Sequence, residues 1–145
     1  MGRVRIQSEP FDPGTELEGF GAGADVGAVV SFTGIVRGAG ELARMEIEHY
    51  PGMTEAAVGK IVAEAEARWA LADCLVIHRF GPMQPGERIM MVATASRHRA
   101  EAFAAADFVM DYRKSRAPFW KKEFGADGEA WVAAKDADEE ALRRW

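Results

Sequence analysis

The chain has 145 residues and carries 18 lysines and arginines against 23 aspartates and glutamates, which gives a formal net charge of −5. This acidic balance argues against a dedicated nucleic-acid-binding protein, because such proteins present a basic face to phosphates. A hydrophobic fraction of 48% is enough to build a core without disulfides or structural metals. We therefore expect one domain over residues 1–145.

The number of cysteines and the N-terminal residues predict the cellular compartment of the protein. Cys74 is the one cysteine of the chain, so an internal disulfide framework and a cysteine-rich metal site are excluded. Residues 1–6 lack the apolar stretch of a secretory signal, and no apolar run reaches the ~20 residues of a bilayer-crossing helix. These features predict a cytoplasmic protein.

The net charge hides an uneven distribution. Residues 97–122 contain seven basic and three acidic side chains, so this segment carries +4 and the rest of the chain carries −9. A basic segment in an acidic protein attracts small anions while the surface as a whole repels polyanions. The alternative interpretation is a solvated, charged helix face.

Hydrophobic periodicity predicts an α+β protein. Strands are expected at residues 4–6, 26–36, 44–50, 74–80, 89–95 and 131–132. A helix of about five turns is expected after Pro51 and Gly52, and a second helix at about residues 97–113, which must end before Pro118. Strands and helices do not alternate strictly, which favours a mostly antiparallel sheet with packed helices over a doubly wound fold.

Two segments carry finer predictions. The run at residues 26–36 is apolar almost throughout, as in strands that are covered on both faces. Residues 81–86 contain two glycines and two prolines, which predict a constrained loop.

One end of the basic segment has the features of an anion site. Ser96, Arg97, His98 and Arg99 lie where a strand gives way to a helix, and the unpartnered N–H groups of a helix start favour a phosphate. Alternatively, Ser96 only caps the helix and the basic side chains are solvated.

The other end combines lysines with aromatic residues. Lys114, Lys121 and Lys122 flank Phe119 and Trp120. An apolar wall and neighbouring cations favour the neutral form of an amine, which can then act as an acid, a base or a nucleophile at neutral pH. Alternatively, the aromatic rings belong to the core and the lysines point into water.

The histidines and the cysteine predict no metal centre. His49, His78 and His98 lack the i, i+4 or His-x-His spacing of ligand pairs. Cys74 lies in an apolar run without a basic neighbour, so we expect it to pack as a small hydrophobic residue. If the protein handles sulfur, the sulfur comes from elsewhere.

Six motifs occur in an order that resembles a known family. They are Phe32-Thr-Gly-Ile-Val-Arg37, Glu48-His-Tyr-Pro-Gly-Met53, His78-Arg-Phe-Gly81, His98-Arg99, Met110-Asp-Tyr-Arg-Lys114 and Ala117-Pro-Phe-Trp-Lys-Lys-Glu123. Together they resemble the large, catalytic subunit of molybdopterin synthase, over almost the whole chain. The resemblance implies an α/β hammerhead-like fold.

The resemblance also implies a reaction and partners. The enzyme would convert cyclic pyranopterin monophosphate (precursor Z) into molybdopterin by installing two dithiolene sulfurs, as a step of molybdenum cofactor biosynthesis. Sulfur would come from a small ubiquitin-like partner whose C-terminal Gly-Gly carries a thiocarboxylate. Two large subunits would form a homodimer at the centre of a heterotetramer, with no cofactor and no metal.

By position, the resemblance implies catalytic roles for Lys114 and Lys121. The substrate contacts that it implies are Ile35, Val36, Arg37, His98, Arg99, Lys114, Lys121, Lys122 and Glu123. Cations suit this task because both reactants are anionic and repel each other. Either lysine could transfer a proton, stabilise an oxyanion or form a transient covalent adduct.

The sequence departs from the family at two positions. Some relatives carry lysine in place of Ile35, which leaves a backbone contact there but no charged side chain. Lys135 stands where an arginine could hold a carboxylate or phosphate with two parallel hydrogen bonds.

The length of the second predicted helix suggests a shared pocket. Arg99 and Lys114 lie on one face but are fifteen residues apart, which corresponds to about 22 Å along a helix. One pterin cannot easily contact both. Our hypothesis is that His98 and Arg99 reach in from one subunit of the homodimer and Lys114 and Lys121 from the other.

Two other classes of function stay open. A non-catalytic module could bind a nucleotide or single-stranded RNA through residues 97–122, although the acidic surroundings and the lack of an RNA-module signature weigh against it. A structural partner without catalysis is the other, and the presence of both Lys114 and Lys121 argues against that class.

Overall fold

The computed structural model describes residues 2–38, 44–125, 128–132 and 140–145. Within these residues the chain forms eight strands, three α-helices and a terminal 3₁₀ turn. The strands are β1 (Arg3–Gln7), β2 (Ala28–Ile35), β3 (Arg44–His49), β4 (Asp73–Arg79), β5 (Gly81–Met83), β6 (Arg88–Ser96), β7 (Phe119–Gly125) and β8 (Gly128–Val132). The helices are α1 (Pro13–Leu17), α2 (Met53–Trp69) and α3 (Arg99–Arg116), and the 3₁₀ turn is Leu142–Arg144.

Four strands form a first sheet in the order β1-β4-β6-β2, in which β1 runs parallel to β4 and the other pairs are antiparallel. On one face, Val58 of α2 and Phe108 of α3 pack in a core cluster with Val76 of β4. On the other face, Phe11 and Phe20 pack in a second cluster with residues of β4 and β6. The apolar run of β4 is thus explained by burial on both faces.

The remaining four strands form a second, fully antiparallel sheet in the order β5-β3-β7-β8. Met45 and Ile47 of β3 are buried with Val36 in a separate core cluster. Successive residues of a strand point to opposite faces, and Lys121 of β7 lies opposite Ile47 in the register. The prediction of an α+β fold with mostly antiparallel strands is confirmed.

The exposure of β2 differs from the expectation that this strand is covered on both faces. β2 is one of the two edge strands of the first sheet in the described part of the chain, and its Val29, Phe32 and Ile35 are 47%, 44% and 55% exposed. A continuous apolar run is expected of a strand with two covered faces, but periodicity does not tell which surface supplies the cover. The prediction that this strand is covered on both faces is wrong for the single chain.

Two further segments refine the prediction. Residues 81–83 form β5, which pairs with β3, where a loop was expected, because a three-residue strand is too short to show periodicity. α3 begins after His98 and ends at Ala117, whose N–H donates to the carbonyl of Arg113. Pro118 follows directly, as the sequence predicts. Of the described helices, none combines the length and the apolar character needed to cross a membrane.

Candidate active site

A cleft of about 380 Å³ lies where both sheets meet the last turns of α3. It is lined by Phe32, Gly34, Ile35, Arg37, Met45, Ile47, His78, Ile89, Met90, Met110, Arg113, Lys114, Phe119, Lys121 and Glu123. Four of these side chains are cationic and one is a carboxylate, whereas most of the others are apolar. This combination suits an organic anion with a flat apolar body, since apolar walls bury the body and a few charges fix its orientation.

The end of α3 and the start of β7 place the two lysines of the cleft. Lys114 lies in the last turn of α3, where the helix dipole favours a cation. The chain then turns at Pro118, whose carbonyl accepts a hydrogen bond from Thr54 Oγ1 at 3.3 Å. β7 follows at once, and its alternation brings Lys121 and Glu123 to the cleft.

A buried histidine and a buried arginine lie side by side in the cleft wall. His78 is 1% exposed and Arg113 is 9% exposed. His78 Nε2 is 3.2 Å from an Nη atom of Arg113, and His78 Nδ1 is 2.8 Å from the carbonyl oxygen of Arg79. The carbonyl can only accept, so Nδ1 carries the proton and Nε2 accepts from Arg113. Burial, and then the positive charge of Arg113, lower the pKa of His78 well below 6.5.

This pKa shift makes the stability of the fold depend on pH. Below pH 6.5 the unfolded chain protonates His78 while the folded chain does not, so unfolding takes up a proton and the free energy of unfolding falls as the pH falls. We expect His78→Gln to remove this contribution, which is up to about 1.4 kcal/mol per pH unit. Denaturant titrations of both proteins between about pH 5 and pH 8 measure it. Parallel pH dependences of the two proteins would contradict the assignment.

Five of the residues that the sequence assigns to substrate or catalysis line the cleft. They are Ile35, Arg37, Lys114, Lys121 and Glu123. Val36 does not reach it, because its side chain is 1% exposed in the core. Its backbone instead fixes the segment before Arg37 by hydrogen bonds to Glu87 and Gly86.

The other assigned residues lie elsewhere on the chain. Lys122 forms an ion pair with Glu129 at 3.1 Å, and its Nζ lies 5.1 Å from the centre of the Trp131 ring. His98 and Arg99 are exposed at the N-terminal end of α3, whereas the cleft lies at the C-terminal end. Lys135 lies outside the described residues.

Two polar residues of the cleft, His78 and Arg113, have no site role in the sequence analysis. Each belongs to a motif of the family resemblance, and the sequence otherwise places His78 in a predicted strand and Arg113 in the basic segment 97–122. The burial of Arg113 could have been predicted from the sequence, because Arg113 follows Val109 by four residues and so falls on the buried stripe of α3. A charged residue on such a stripe needs a partner or a ligand.

The thiol is not part of the site. Cys74 is fully buried, and burial raises its pKa to about 12, so it packs as a small hydrophobic residue, as predicted. In the part of the chain that the structure describes, no three histidine, cysteine or carboxylate side chains are grouped to hold a metal. The described residues that line a second cleft, of about 440 Å³, are Glu48, His49, Tyr50, Trp120 and Trp131, and none of these five is a lysine or an arginine.

The fold and the cleft define an α+β protein whose cationic cleft is suited to an organic anion. The model of the family described as "MoaE protein" matches residues 6–116. A protein of Cereibacter sphaeroides, named "Molybdopterin synthase catalytic subunit", is 63% identical over 145 residues, which cover 99% of both chains.

Solved structures agree with these relatives. The "Molybdopterin biosynthesis MoaE protein" of Burkholderia ambifaria has a TM-score of 0.87 at 49% identity and covers 100% of this chain and 98% of its own. Molybdopterin synthase of Staphylococcus aureus has a TM-score of 0.82 at 32% identity and covers 89% and 96%. The chain therefore belongs to the MoaE protein family. The predictions of the family and of an enzyme in molybdenum cofactor biosynthesis are confirmed.

Proposed function

We propose that this chain converts cyclic pyranopterin monophosphate into molybdopterin, with sulfur from the C-terminal thiocarboxylate of a small ubiquitin-like partner. The observation that carries the proposal is the cleft, which combines Arg37, Lys114 and Lys121 with apolar walls. The pterin ring is flat, its phosphate is anionic and the thiocarboxylate is anionic too. A cleft of this kind offsets the repulsion between the two reactants.

The cleft residues divide into two tasks in this proposal. Arg37 holds the phosphate, and the backbone beside Ile35 borders the pterin. Lys114 and Lys121 act at the reacting centre, where the thiocarboxylate sulfur displaces an oxygen substituent from a carbon of the substrate. Water then cleaves the acyl–sulfur bond, which leaves the sulfur on the substrate and a carboxylate on the partner. That hydrolysis passes through a tetrahedral oxyanion, which a lysine ammonium stabilises, and each step also needs proton transfer. Glu123 lies beside Lys121 at the same wall.

A homodimer that pairs through β2 would complete the site. β2 is an edge strand among the described strands, its Val29, Phe32 and Ile35 are exposed, and an edge strand pairs readily with another strand. A two-fold axis makes the two β2 strands antiparallel, so the Ala28 end of one strand lies against the Ile35 end of the other. Each strand spans about 24 Å.

The register of the first sheet then decides which residues meet. Ala28 pairs with Ser96, and the neighbouring Gly27 donates its N–H to the Ser96 carbonyl at 2.9 Å. The Ala28 end of β2 therefore lies next to the start of α3, with His98 and Arg99. Two-fold pairing brings these two residues of one protomer toward the cleft of its partner. In this arrangement residues 1–145 act as one domain, and Val36 and Lys122 play no direct part.

Reconstitution tests the proposed function. Purified chain, cyclic pyranopterin monophosphate and a thiocarboxylated partner are expected to yield a dithiolene pterin, detected after oxidation by its fluorescence. The matched control is the same partner with an ordinary C-terminal carboxylate, which carries no sulfur and should give no product. Absence of dithiolene, together with RNA affinity that falls steeply with salt, would instead favour the binding-module class.

A further inference from the structure

The second sheet has an outer face, opposite the active-site cleft, that the proposed function does not use. Paired residues of neighbouring strands share a face, so Glu48 of β3 lies beside Trp120 of β7, and the register of β8 places Trp131 on the same side. Tyr50 follows Glu48 by two residues. The side chains of Tyr50, Trp120 and Trp131 are 53%, 40% and 54% exposed. These three residues and Glu48 line the second cleft, and we call the four of them the aromatic face.

Two rings of the aromatic face are held in place before any partner binds. The N–H of Tyr50 donates to Thr54 Oγ1 at 3.1 Å, and that hydroxyl donates to the carbonyl of Pro118 at 3.3 Å. The segment that carries Tyr50 is thereby tied to the segment that leads into Trp120. The two rings contact each other edge to face, with centres 4.6 Å apart and an angle of 88°. Rigid aromatic side chains lose little conformational entropy on binding, which makes them effective anchors of an interface.

The aromatic face also presents a carboxylate. Arg44 and Lys122 share this side of the sheet, but Arg44 pairs with Glu46 at 3.7 Å and Lys122 pairs with Glu129 at 3.1 Å. Within the described residues, Glu48 is exposed and has no ion-pair partner. Exposed aromatic rings beside such a carboxylate suit an apolar protein surface that presents a lysine or an arginine.

The position of the aromatic face relative to the cleft identifies the partner. Trp120 and Lys121 are neighbours in β7 and point to opposite faces of one sheet, so a protein seated on the aromatic face lies directly behind the cleft wall. β8 is the edge strand next to β7 among the described strands. A segment that passes round β8 crosses two strand spacings and the thickness of the sheet, or roughly 20 Å in total. About six extended residues cover this distance.

We propose that the aromatic face is the docking surface for the globular body of the sulfur-carrying partner, whose tail passes round β8 into the cleft. The partner contributes an apolar patch to the three rings and a basic side chain to Glu48. This inference rests on the proposed function, which supplies a small partner with a C-terminal Gly-Gly tail. It adds the surface that holds the body of that partner, whereas the cleft holds only the end of the tail.

Calorimetry with the unsulfurated partner tests the docking surface without any sulfur transfer. The probe is the small ubiquitin-like protein of the same organism with its ordinary C-terminal carboxylate. We expect Tyr50→Ala and Trp131→Ala each to weaken its binding at least about tenfold, as the loss of a central aromatic anchor does. Phe103→Ala is the matched control, because Phe103 is 61% exposed on α3 and lines neither of the two clefts.

Charge reversal tests the role of Glu48. Glu48→Lys is expected to weaken binding of the same probe about tenfold at low salt and less at high salt, because salt screens an exposed ion pair. Glu64→Lys makes the same change at an exposed position of α2 and should leave the affinity unchanged. Equal effects of the two reversals would contradict a specific contact at Glu48.

Removal of the tail separates the body of the partner from its reactive end. The probe without its last six residues should still bind, and its affinity should still fall on Trp131→Ala. In the reconstituted reaction, Trp131→Ala should raise KM for the thiocarboxylated partner and leave kcat nearly unchanged, because docking precedes the chemical steps.

Three results would overturn the inference. They are natural affinity of the folded Tyr50→Ala and Trp131→Ala chains for the probe, loss of all binding when the tail is removed, and a changed oligomeric state of the Trp131→Ala chain alone in sedimentation, which would assign the face to a second copy. If the partner binds the aromatic face but no dithiolene forms, the proposed function fails and the docking surface stands. If dithiolene forms and the aromatic substitutions leave binding unchanged, the docking surface fails and the proposed function stands.

Discussion

Replacing Lys114 with alanine is expected to lower the rate of dithiolene formation by about 10²- to 10⁴-fold, the range found when a proton-transfer group or an oxyanion donor is removed. Lys114 lies at the C-terminal end of α3, on the cleft that holds Arg37 and Lys121. The fold should tolerate the change, because the side chain is exposed and alanine favours a helix. The measurement is single-turnover formation of the dithiolene pterin with saturating partner.

Lys60→Ala provides the matched control, since Lys60 is an exposed lysine within α2 and does not line the cleft. Its rate should equal that of the natural chain. An unchanged rate for Lys114→Ala would contradict the catalytic role and would revive a structural partner that has lost catalysis.

Lys114→Arg separates the two chemical roles that the sequence leaves open. Arginine keeps a positive charge but does not release a proton near neutral pH. Substantial retained activity would assign Lys114 to electrostatic stabilisation, and loss as large as that of the alanine variant would assign it to proton transfer or covalent chemistry.

The pattern of apolar residues predicted the long strands of the first sheet and the two long helices, but it predicted neither β5 nor β7, and it did not predict what surrounds each element. β4 and β2 are both apolar runs, yet β4 is buried on both faces and β2 exposes Phe32 and Ile35. Periodicity records that a strand is covered and does not record whether its own chain or a second copy covers it. The exposed residues of β2 are therefore the ones that the single chain leaves unexplained.

The candidate site shows a similar limit. Lys114 and Lys121 could be grouped from the sequence because the turn at Pro118 joins their two elements within a few residues. The pair of His78 and Arg113 joins residues 35 positions apart, and no local pattern predicts such a contact. Lys122 illustrates the converse, since it is next to Lys121 in sequence but pairs with Glu129 outside the cleft. The side chains of adjacent residues in a strand point to opposite faces of the sheet, so two residues that are next to each other in sequence need not belong to the same site.

If each pocket is shared between two subunits, mixing two different inactive variants should restore activity in the hybrid dimers. His98→Ala/Arg99→Ala and Lys114→Ala should each form inactive homodimers. In a hybrid dimer, the chain that keeps Lys114 receives His98 and Arg99 from its partner, so one of its two pockets is complete. We expect isolated hybrids, separated by two different tags, to recover about half of the natural activity, as the two-fold arrangement requires.

The control for complementation combines two variants from the same side of the pocket. A hybrid of Lys114→Ala with Lys121→Ala has one defect in each pocket if both lysines come from one chain, so it should stay inactive. This contrast excludes a general stabilisation by mixing as the cause of recovery. Hybrids of the first kind that form properly and recover nothing would show that His98 and Arg99 do not serve the partner's cleft. The exposure of Val29 and Phe32 on β2 would then need another explanation, because the antiparallel pairing that delivers His98 and Arg99 would be wrong.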